Sequence, residues 1–222
     1  MKALLHILLI LISLSLLLLQ GCIEDEDDLI SQQECSSIPC AMLNGMISTG
    51  DGHEPFQGAE IEVLWKNTVY LGGGTIRTKA RGQTNEDGYY EINFRVREDE
   101  LEDGYFLVKI FIDSNFLSCG NTTEYHDFSI SQLSNDSIVT THYGIPYKAF
   151  LSVHANGASQ MADNDYLSFT ATSPAGIDFQ GGCGTVISWT NQNPDETYLI
   201  EVAAFQPVIV STTTRKGEER TN

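Results

Sequence analysis

Positively charged residues are scarce in this sequence. Its 222 residues include 12 Lys and Arg against 30 Asp and Glu, which gives a formal net charge of −18. Nucleic acids and anionic lipid surfaces carry the same sign of charge and repel such a chain. The composition therefore argues against nucleic-acid partners and favours a well-solvated protein.

Long hydrophobic segments are equally scarce, since only the N-terminus carries one. Lys2 supplies a short positive region, and residues 4–19 are apolar apart from His6 and two serines. This run of 16 residues is shorter than the roughly 20 that a membrane-spanning helix needs. A positive start, a short apolar core and a small residue before Cys22 follow the order of a secretory signal. Residues 1–21 are therefore predicted to be a signal peptide.

The end of this signal, Leu19-Gln20-Gly21-Cys22, resembles the lipobox of bacterial lipoproteins, with Gln20 in place of the usual small or aliphatic residue. The resemblance implies that the Cys22 thiol receives a diacylglyceryl group and that Cys22 becomes the acylated N-terminus. Several acyl chains hold a protein on a bilayer far more firmly than a single chain does. Because Lys2 is removed, the mature chain has 11 basic and 30 acidic residues and a formal charge of −19.

Five acidic residues, Glu24 to Asp28, follow the cysteine almost directly. They resemble the acidic export signal that some Gram-negative groups place behind an acylated cysteine, which implies a lipid-anchored outer-membrane protein facing the cell surface. The alternatives are a solvated acidic spacer, an inner-membrane location and a periplasmic orientation. Residues 22–41 are predicted to form an acidic tether.

Four cysteines remain once Cys22 is assigned to lipid. An even number of cysteines in an oxidising compartment predicts two disulfides, and three pairings are open. A zinc site needs clustered ligands at short spacings, which these residues do not match. The four disulfide candidates are Cys35, Cys40, Cys119 and Cys183.

Helical spacing is missing from the rest of the chain, where strand-forming segments alternate with Gly, Asn and Asp, so the chain is predicted to be all-β. Ile61, Val63 and Trp65 alternate with polar residues, the pattern of a half-buried strand. Asp87 and Gly88 supply a tight turn with positive φ. Such strands predict an antiparallel β-sandwich.

Residues 42–145 also resemble the carboxypeptidase regulatory-like domain of the transthyretin-like group. The resemblance implies an Ig-like or transthyretin-like antiparallel β-sandwich that acts as a non-catalytic module and packs on other proteins. Turn and core residues carry it, so it identifies a fold and no chemistry. Those residues are Gly45-Met46-Ile47, Pro55, Gly58-Ala59 and Thr84-x-x-Asp87-Gly88-x-Tyr90.

The second half is predicted to be β-structure as well. Residues 146–212 contain further strand-like segments that fit a second, smaller β-domain or an extension of the first. Residues 213–222 are predicted to be a flexible tail. The first of these strands places one apolar face inward, made of Tyr147, Ala149, Leu151 and Val153.

Four aromatic residues are candidate binding groups in this sequence. Trp65 and Trp189 share the inward phase of their strands and are expected in the core. Tyr89 and Phe150 fall in the outward phase, which makes them candidates for a contact surface or an inter-domain interface.

Recognisable catalytic motifs are missing, including Gly-x-Ser-x-Gly, His-Glu-x-x-His and a phosphate-binding glycine loop. The main enzyme alternative is the intradiol ring-cleaving dioxygenase group, which binds iron through two tyrosines and two histidines, the latter as His-x-His. This chain has no His-x-His, so half of a ligand set suited to iron is missing. The residues that match the group's pattern are Trp65, Arg81, Gly82, Thr84, Asp87, Gly88 and Tyr90.

The sequence thus predicts a non-enzymatic, lipid-anchored envelope protein with a structural or protein-association role, and a surface glycan or peptide binder is the alternative. Its expected partners are the membrane, through acylated Cys22, and an envelope protein or glycan. No cofactor, metal or catalytic residue is expected.

Overall fold

The computed structural model describes residues 23–29, 35, 38–68, 73–119, 124–131, 133–177 and 181–217. Most of these residues lie in strands, and a five-residue helix, α1, spans Glu98–Glu102. The predicted all-β, sandwich-like fold is confirmed. Strands β1 to β16 are Ile23–Asp27, Ala41–Thr49, Glu54–Pro55, Glu60–Thr68, Gly74–Gln83, Tyr89–Phe94, Tyr105–Phe111, Tyr125–Ile130, Ile138–Thr140, Tyr143–Gly144, Lys148–His154, Tyr166–Pro174, Gly176–Ile177, Gly182–Trp189, Thr197–Ala203 and Ile209–Arg215.

Two sheets form the first unit. One has the strand order β1-β5-β4-β7-β8, and in the other β2 pairs with β3, β6, β9 and β10. Apolar side chains from both sheets share one core, in which Ile61, Val63 and Trp65 are at most 3% exposed. The inward phase that period-two alternation predicted for these three residues is confirmed.

Five of the strands after residue 146 build a second, smaller unit, whereas β13 pairs with β10 at the edge of a first-unit sheet. Strands β11 and β15 form a two-stranded ribbon, and β14, β12 and β16 form a three-stranded sheet in that order. Ala149, Leu151 and Val153 of the ribbon pack towards the sheet in a core that also holds Ile200. Trp189 is 1% exposed in the neighbouring cluster. Its core position is as predicted.

Backbone and covalent bonds join the two units at residues 116–119 and 146–147, a region called the joint. Strand β13 adds a second connection by pairing with β10 of the first unit. The Leu117 amide donates to the Pro146 carbonyl oxygen at 2.9 Å, and Phe116 forms an isolated bridge with Tyr147. One disulfide, Cys119–Cys183, also spans the joint. The second disulfide links Cys35 to Cys40. Both predicted disulfides are therefore present, and the structure supplies the pairing that the sequence left open.

The acidic N-terminal segment is a strand. Residues 23–27, inside the range predicted as a tether, form β1, which pairs in parallel with β5 from Ile23 opposite Gly74 to Asp27 opposite Thr78. The tether prediction is corrected here, because an open strand edge offers backbone hydrogen bonds that do not depend on apolar side chains.

An ion network holds the end of β1 against the first unit. Lys79, whose side chain is fully buried, binds both Asp28 and Glu100, and its Nζ lies 2.8 Å from the Glu100 Oε1 atom. Arg97 donates to the Asp28 Oδ1 atom at 2.6 Å. Burial raises the pKa of Asp28, but the hydrogen bonds from Arg97 and Lys79 outweigh it and hold that pKa below 3.8. This stabilisation is present above pH 3.8 and is lost as the pH falls through the lowered value.

The C-terminal segment is also more ordered than predicted. Strand β16 extends to Arg215, which pairs with Tyr166 of β12, so residues 213–215 belong to the sheet instead of the predicted tail. The Gly217 amide donates to the Asp165 Oδ1 atom at 2.8 Å. Three successive threonines favour the extended backbone of this strand.

Gly88 allows a close approach of two backbones. Its φ is +73°, and an added Cβ atom would lie 2.5 Å from the Ile47 carbonyl oxygen. Gly157 has a similar φ of +83° with nothing within 4 Å of the added atom. Gly88→Ala is expected to reduce the free energy of unfolding by about 3 kcal/mol, because backbone strain and a steric clash act together. Gly157→Ala is expected to cost about 1 kcal/mol from strain alone.

Urea unfolding of the two variants measures this difference. Equal losses of stability would contradict the packing described around Gly88.

Candidate functional site

A groove of about 370 Å³ lies between β14 and β15. Residues 117–119 of the joint close one part of it, and the walls come from residues 183–187 and 198–201. Peptide and small-molecule sites in proteins start at about this size. The groove is therefore large enough for a short extended segment.

Both walls of this groove are strands with an open edge. Within the described residues, β14 pairs only with β12, and β15 pairs only with β11. An open edge presents unpaired backbone amide and carbonyl groups, which a further strand can satisfy. The arrangement can therefore bind an extended backbone by hydrogen bonding, with no catalytic group required.

Apolar side chains are exposed beside the groove. Phe150 and Leu199 are 60% and 67% exposed. Phe150 pairs with Glu201, and Ser152 pairs with Leu199, so Phe150 and Leu199 are diagonal neighbours on the outer face of the ribbon, within reach of each other. Large exposed apolar side chains that lie together are typical of interaction surfaces.

The charged residues of the ribbon neutralise each other. The Lys148 Nζ atom lies 3.0 Å from the Glu201 Oε1 atom, and Glu201 also lines the groove. This paired carboxylate leaves the groove without strong charge in an otherwise acidic protein. The groove is thus suited to an apolar or neutral segment.

Strand β16 is a further open edge, because within the described residues it pairs only with β12. All seven of its residues are exposed. Val210 pairs with Ala171, which is buried on the inner face of β12, so Val210 points to the inner side although it is 50% exposed.

The predicted contact residues lie on different units. Tyr89 is 39% exposed on β6 of the first unit, where it pairs with Met46 and its hydroxyl donates to Glu91 at 3.3 Å. Phe150 lies on the ribbon of the second unit, and no contact between Phe150 and Tyr89 occurs within the part of the chain that the structure describes. Neither residue lines the groove, but Phe150 is the diagonal neighbour of Leu199, which does. Cys22, the predicted lipidation site, lies outside the described residues.

The residues of the dioxygenase-like pattern have structural partners. The Tyr90 hydroxyl donates to the Thr141 carbonyl oxygen at 2.8 Å, and burial raises its pKa above the ordinary value. A tyrosine that binds iron must lose its proton, so this environment opposes such a role. No cluster of three His, Cys, Asp or Glu side chains that could hold a metal occurs in the described residues.

A buried histidine lies next to the joint between the units. His126 is 1% exposed, its Nε2 atom donates to the Leu117 carbonyl oxygen at 2.6 Å, and its Nδ1 atom lies 3.4 Å from the Tyr143 hydroxyl. Burial lowers the pKa of His126, although the hydrogen bond to Leu117 opposes this effect. Burial raises the pKa of Tyr143 to about 12. Neutral His126 thus helps to hold the joint segment in place.

No family model matches the sequence, and no curated protein sequence matches it. A solved 9R-lipoxygenase from Cyanothece PCC8801 is similar at 14% identity, over 56% of this chain and 20% of that chain, with a TM-score of 0.33. A variant of catechol 1,2 dioxygenase from Acinetobacter radioresistens is similar at 10% identity, over 62% of this chain and 52% of that one, with a TM-score of 0.23. The chain thus spans about a fifth and about half of their lengths.

The groove is a feature that sequence reasoning missed. Thr197, Leu199 and Glu201 alternate on the outward face of β15, and Leu199 is the apolar residue among them. That alternation could have identified Leu199 as an outward-facing apolar residue. The groove itself depends on two strands that do not pair with each other, and no local pattern encodes that.

None of the described helices is long and apolar enough to cross a membrane.

His126 is expected to make stability depend on pH. Because its folded-state pKa is lowered, the unfolded chain binds more protons as the pH falls below 6.5, and the free energy of unfolding decreases. His126→Gln removes this titration and is expected to flatten the decrease between pH 7.5 and 5.5. Urea unfolding at the two pH values measures it. His154→Gln, at an exposed position on β11, serves as the control and should keep the wild-type slope.

Proposed function

We propose that this protein is a non-enzymatic lipoprotein of the cell envelope that binds another protein by strand addition. The observation that carries the proposal is the groove between β14 and β15, whose two walls have open strand edges. An added strand gains affinity from backbone hydrogen bonds and specificity from alternate side chains. The exposed Phe150 and Leu199 supply the apolar contacts beside it.

The partner is an extended, uncharged or apolar segment of another envelope protein. The neutral Lys148–Glu201 pair at the groove supports this choice. The lipid anchor is proposed from the sequence of the signal and from Cys22 directly after it. An anchor of this type keeps the protein at the membrane where such a partner lies.

The lipid anchor predicts a specific mass. Wild-type protein purified from membranes should carry acyl chains at an N-terminal Cys22, and intact mass spectrometry measures this. Cys22→Ala should lack the acyl mass and leave the membrane fraction. Protease treatment of intact cells should degrade the wild type if the protein faces outward. A wild-type mass without acyl chains would refute the anchor, and protection from protease would refute the surface orientation.

The groove predicts a position-specific cross-link. Leu199 replaced by the photoreactive residue benzoylphenylalanine should give one discrete adduct with an envelope protein in cells. Leu101, which is also an exposed leucine but lies on α1 of the first unit, is the matched control position and should not give that adduct. An identical pattern at both positions, or no adduct at Leu199, would contradict the proposed association site.

A further inference from the structure

The first strand and the joint between the units lie at opposite ends of the first sandwich. Ile23 pairs with Gly74 at the start of β5, and Gly74 pairs with Thr68 at the end of β4. This end is called the anchor pole. The other end of β4 begins at Glu60, opposite Gln83, and is called the distal pole. Strand β4 has nine residues, which span about 30 Å at ~3.3 Å per residue.

The second unit is attached at the distal pole. Strand β7 starts at the anchor pole, where Tyr105 pairs with Lys66, and it runs to Phe111. The joint follows directly: the Leu117 amide binds the Pro146 carbonyl oxygen, and Cys119 forms its disulfide with Cys183. The groove of the second unit is therefore on the side of the molecule away from Ile23.

The chain between the acylated Cys22 and the first sandwich is very short. Cys22 precedes Ile23 directly, and consecutive Cα atoms are about 3.8 Å apart. The acylated residue is therefore bound to the first residue of a paired strand. A chain anchored in this way has no flexible spacer of the kind a free acidic segment would supply.

The end of β1 is fixed by charge. Asp28 follows the strand, binds the fully buried Lys79 and receives a hydrogen bond of 2.6 Å from Arg97. Asp27, one residue earlier, has a 70% exposed side chain that lies 3.8 Å from Arg81. The two neighbouring aspartates thus differ: one holds β1 in place and the other lies at the surface.

The rim of the anchor pole suits a zwitterionic headgroup region, since anionic lipids would repel its exposed carboxylates. Leu101 and Tyr105 are 51% and 38% exposed there, and Glu98, Asp99 and Glu102 of α1 are exposed around them. Exposed carboxylates oppose insertion into hydrocarbon, while a tyrosine and a leucine tolerate the interface. The rim can rest on a bilayer without entering it.

We propose that β1 is a rigid anchor strand that holds the anchor pole of the first sandwich against the bilayer. The groove of the second unit then faces away from the membrane. The inference rests on the lipid anchor of the proposed function. The anchor pole contacts the headgroup layer of the same bilayer that holds Cys22. The protein partner of the groove then approaches from the side away from the membrane.

Energy transfer from the two tryptophans to a labelled lipid tests this orientation. Trp65 lies three residues from the end of β4, about 10 Å along the strand, and its Nε1 atom donates to the Asp103 carbonyl oxygen at the anchor pole. Trp189 lies in the second unit. Full-length lipoprotein is placed in phosphatidylcholine vesicles that contain dansyl-phosphatidylethanolamine. Transfer in W189F, where Trp65 is the donor, should be several-fold more efficient than in W65F.

The aspartate pair tests the anchor strand itself. Asp28→Asn is expected to speed amide hydrogen exchange in residues 23–27 by about tenfold or more, because charge-assisted hydrogen bonds are lost. Introduced into W189F, it should also lower the transfer from Trp65, since the released residues act as a spacer. Asp27→Asn is the matched control and should leave exchange and transfer unchanged.

The outcomes separate this inference from the proposed function. A wild-type mass without acyl chains overturns both. Acylated protein in which Trp65 and Trp189 transfer equally, or in which Trp189 transfers more, overturns the orientation alone. Equal exchange in the two asparagine variants overturns the anchor strand. If W65F does not fold, inserting six Gly and Ser residues after Cys22 in W189F replaces it, and unchanged transfer from Trp65 then counts against the inference.

Discussion

A lysine and a glutamate buried together form the interaction on which the first unit depends. The side chains of Lys79 and Glu100 are both 0% exposed, and such residues are almost never fully buried unless they are paired. The register of β4 with β5 shifts beside Val63 and skips Lys79, which places the ammonium group at α1. Breaking a buried pair of this kind costs about 3–5 kcal/mol, a large share of the stability of an ordinary domain.

The Lys79–Glu100 pair also holds α1 and the end of β1 against the first sandwich. Glu100 accepts a hydrogen bond of 2.9 Å from the Arg97 amide, which fixes the start of α1, and Lys79 also binds Asp28 at the end of β1. Helix, sheet and N-terminal strand thus share one charge centre. Two arginines reinforce this centre, because Arg77 also binds Glu100 and Arg97 also binds Asp28.

Local patterns predicted the parts of the fold that local physics controls. The alternation of Ile61, Val63 and Trp65 identified a buried strand face, and the Asp87-Gly88 pair identified a turn with positive φ, because both signals lie within a few residues. Strand β1 was missed because its counter-charge, Lys79, is 51 residues from Asp28. The groove was missed for the same reason, since β14 and β15 meet only through the packing of the second unit. The alternation of β11 predicted that Phe150 points outward. It could not predict that Phe150 lies next to Leu199, because the two residues are on different strands.

The parallel pairing of β1 with β5 also has a mechanical meaning. In the proposed orientation, a pull on Ile23 from the membrane, opposed by a partner held at the distal pole, would act along the axis of β1. Its five residue pairs are then strained in shear, all at the same time, instead of being opened one after another as in the peeling of a hairpin. The covalent Cys119–Cys183 link carries the same tension across the joint between the units. In that orientation, the β1–β5 pairing and the disulfide would both oppose a tension applied between the two poles of the molecule.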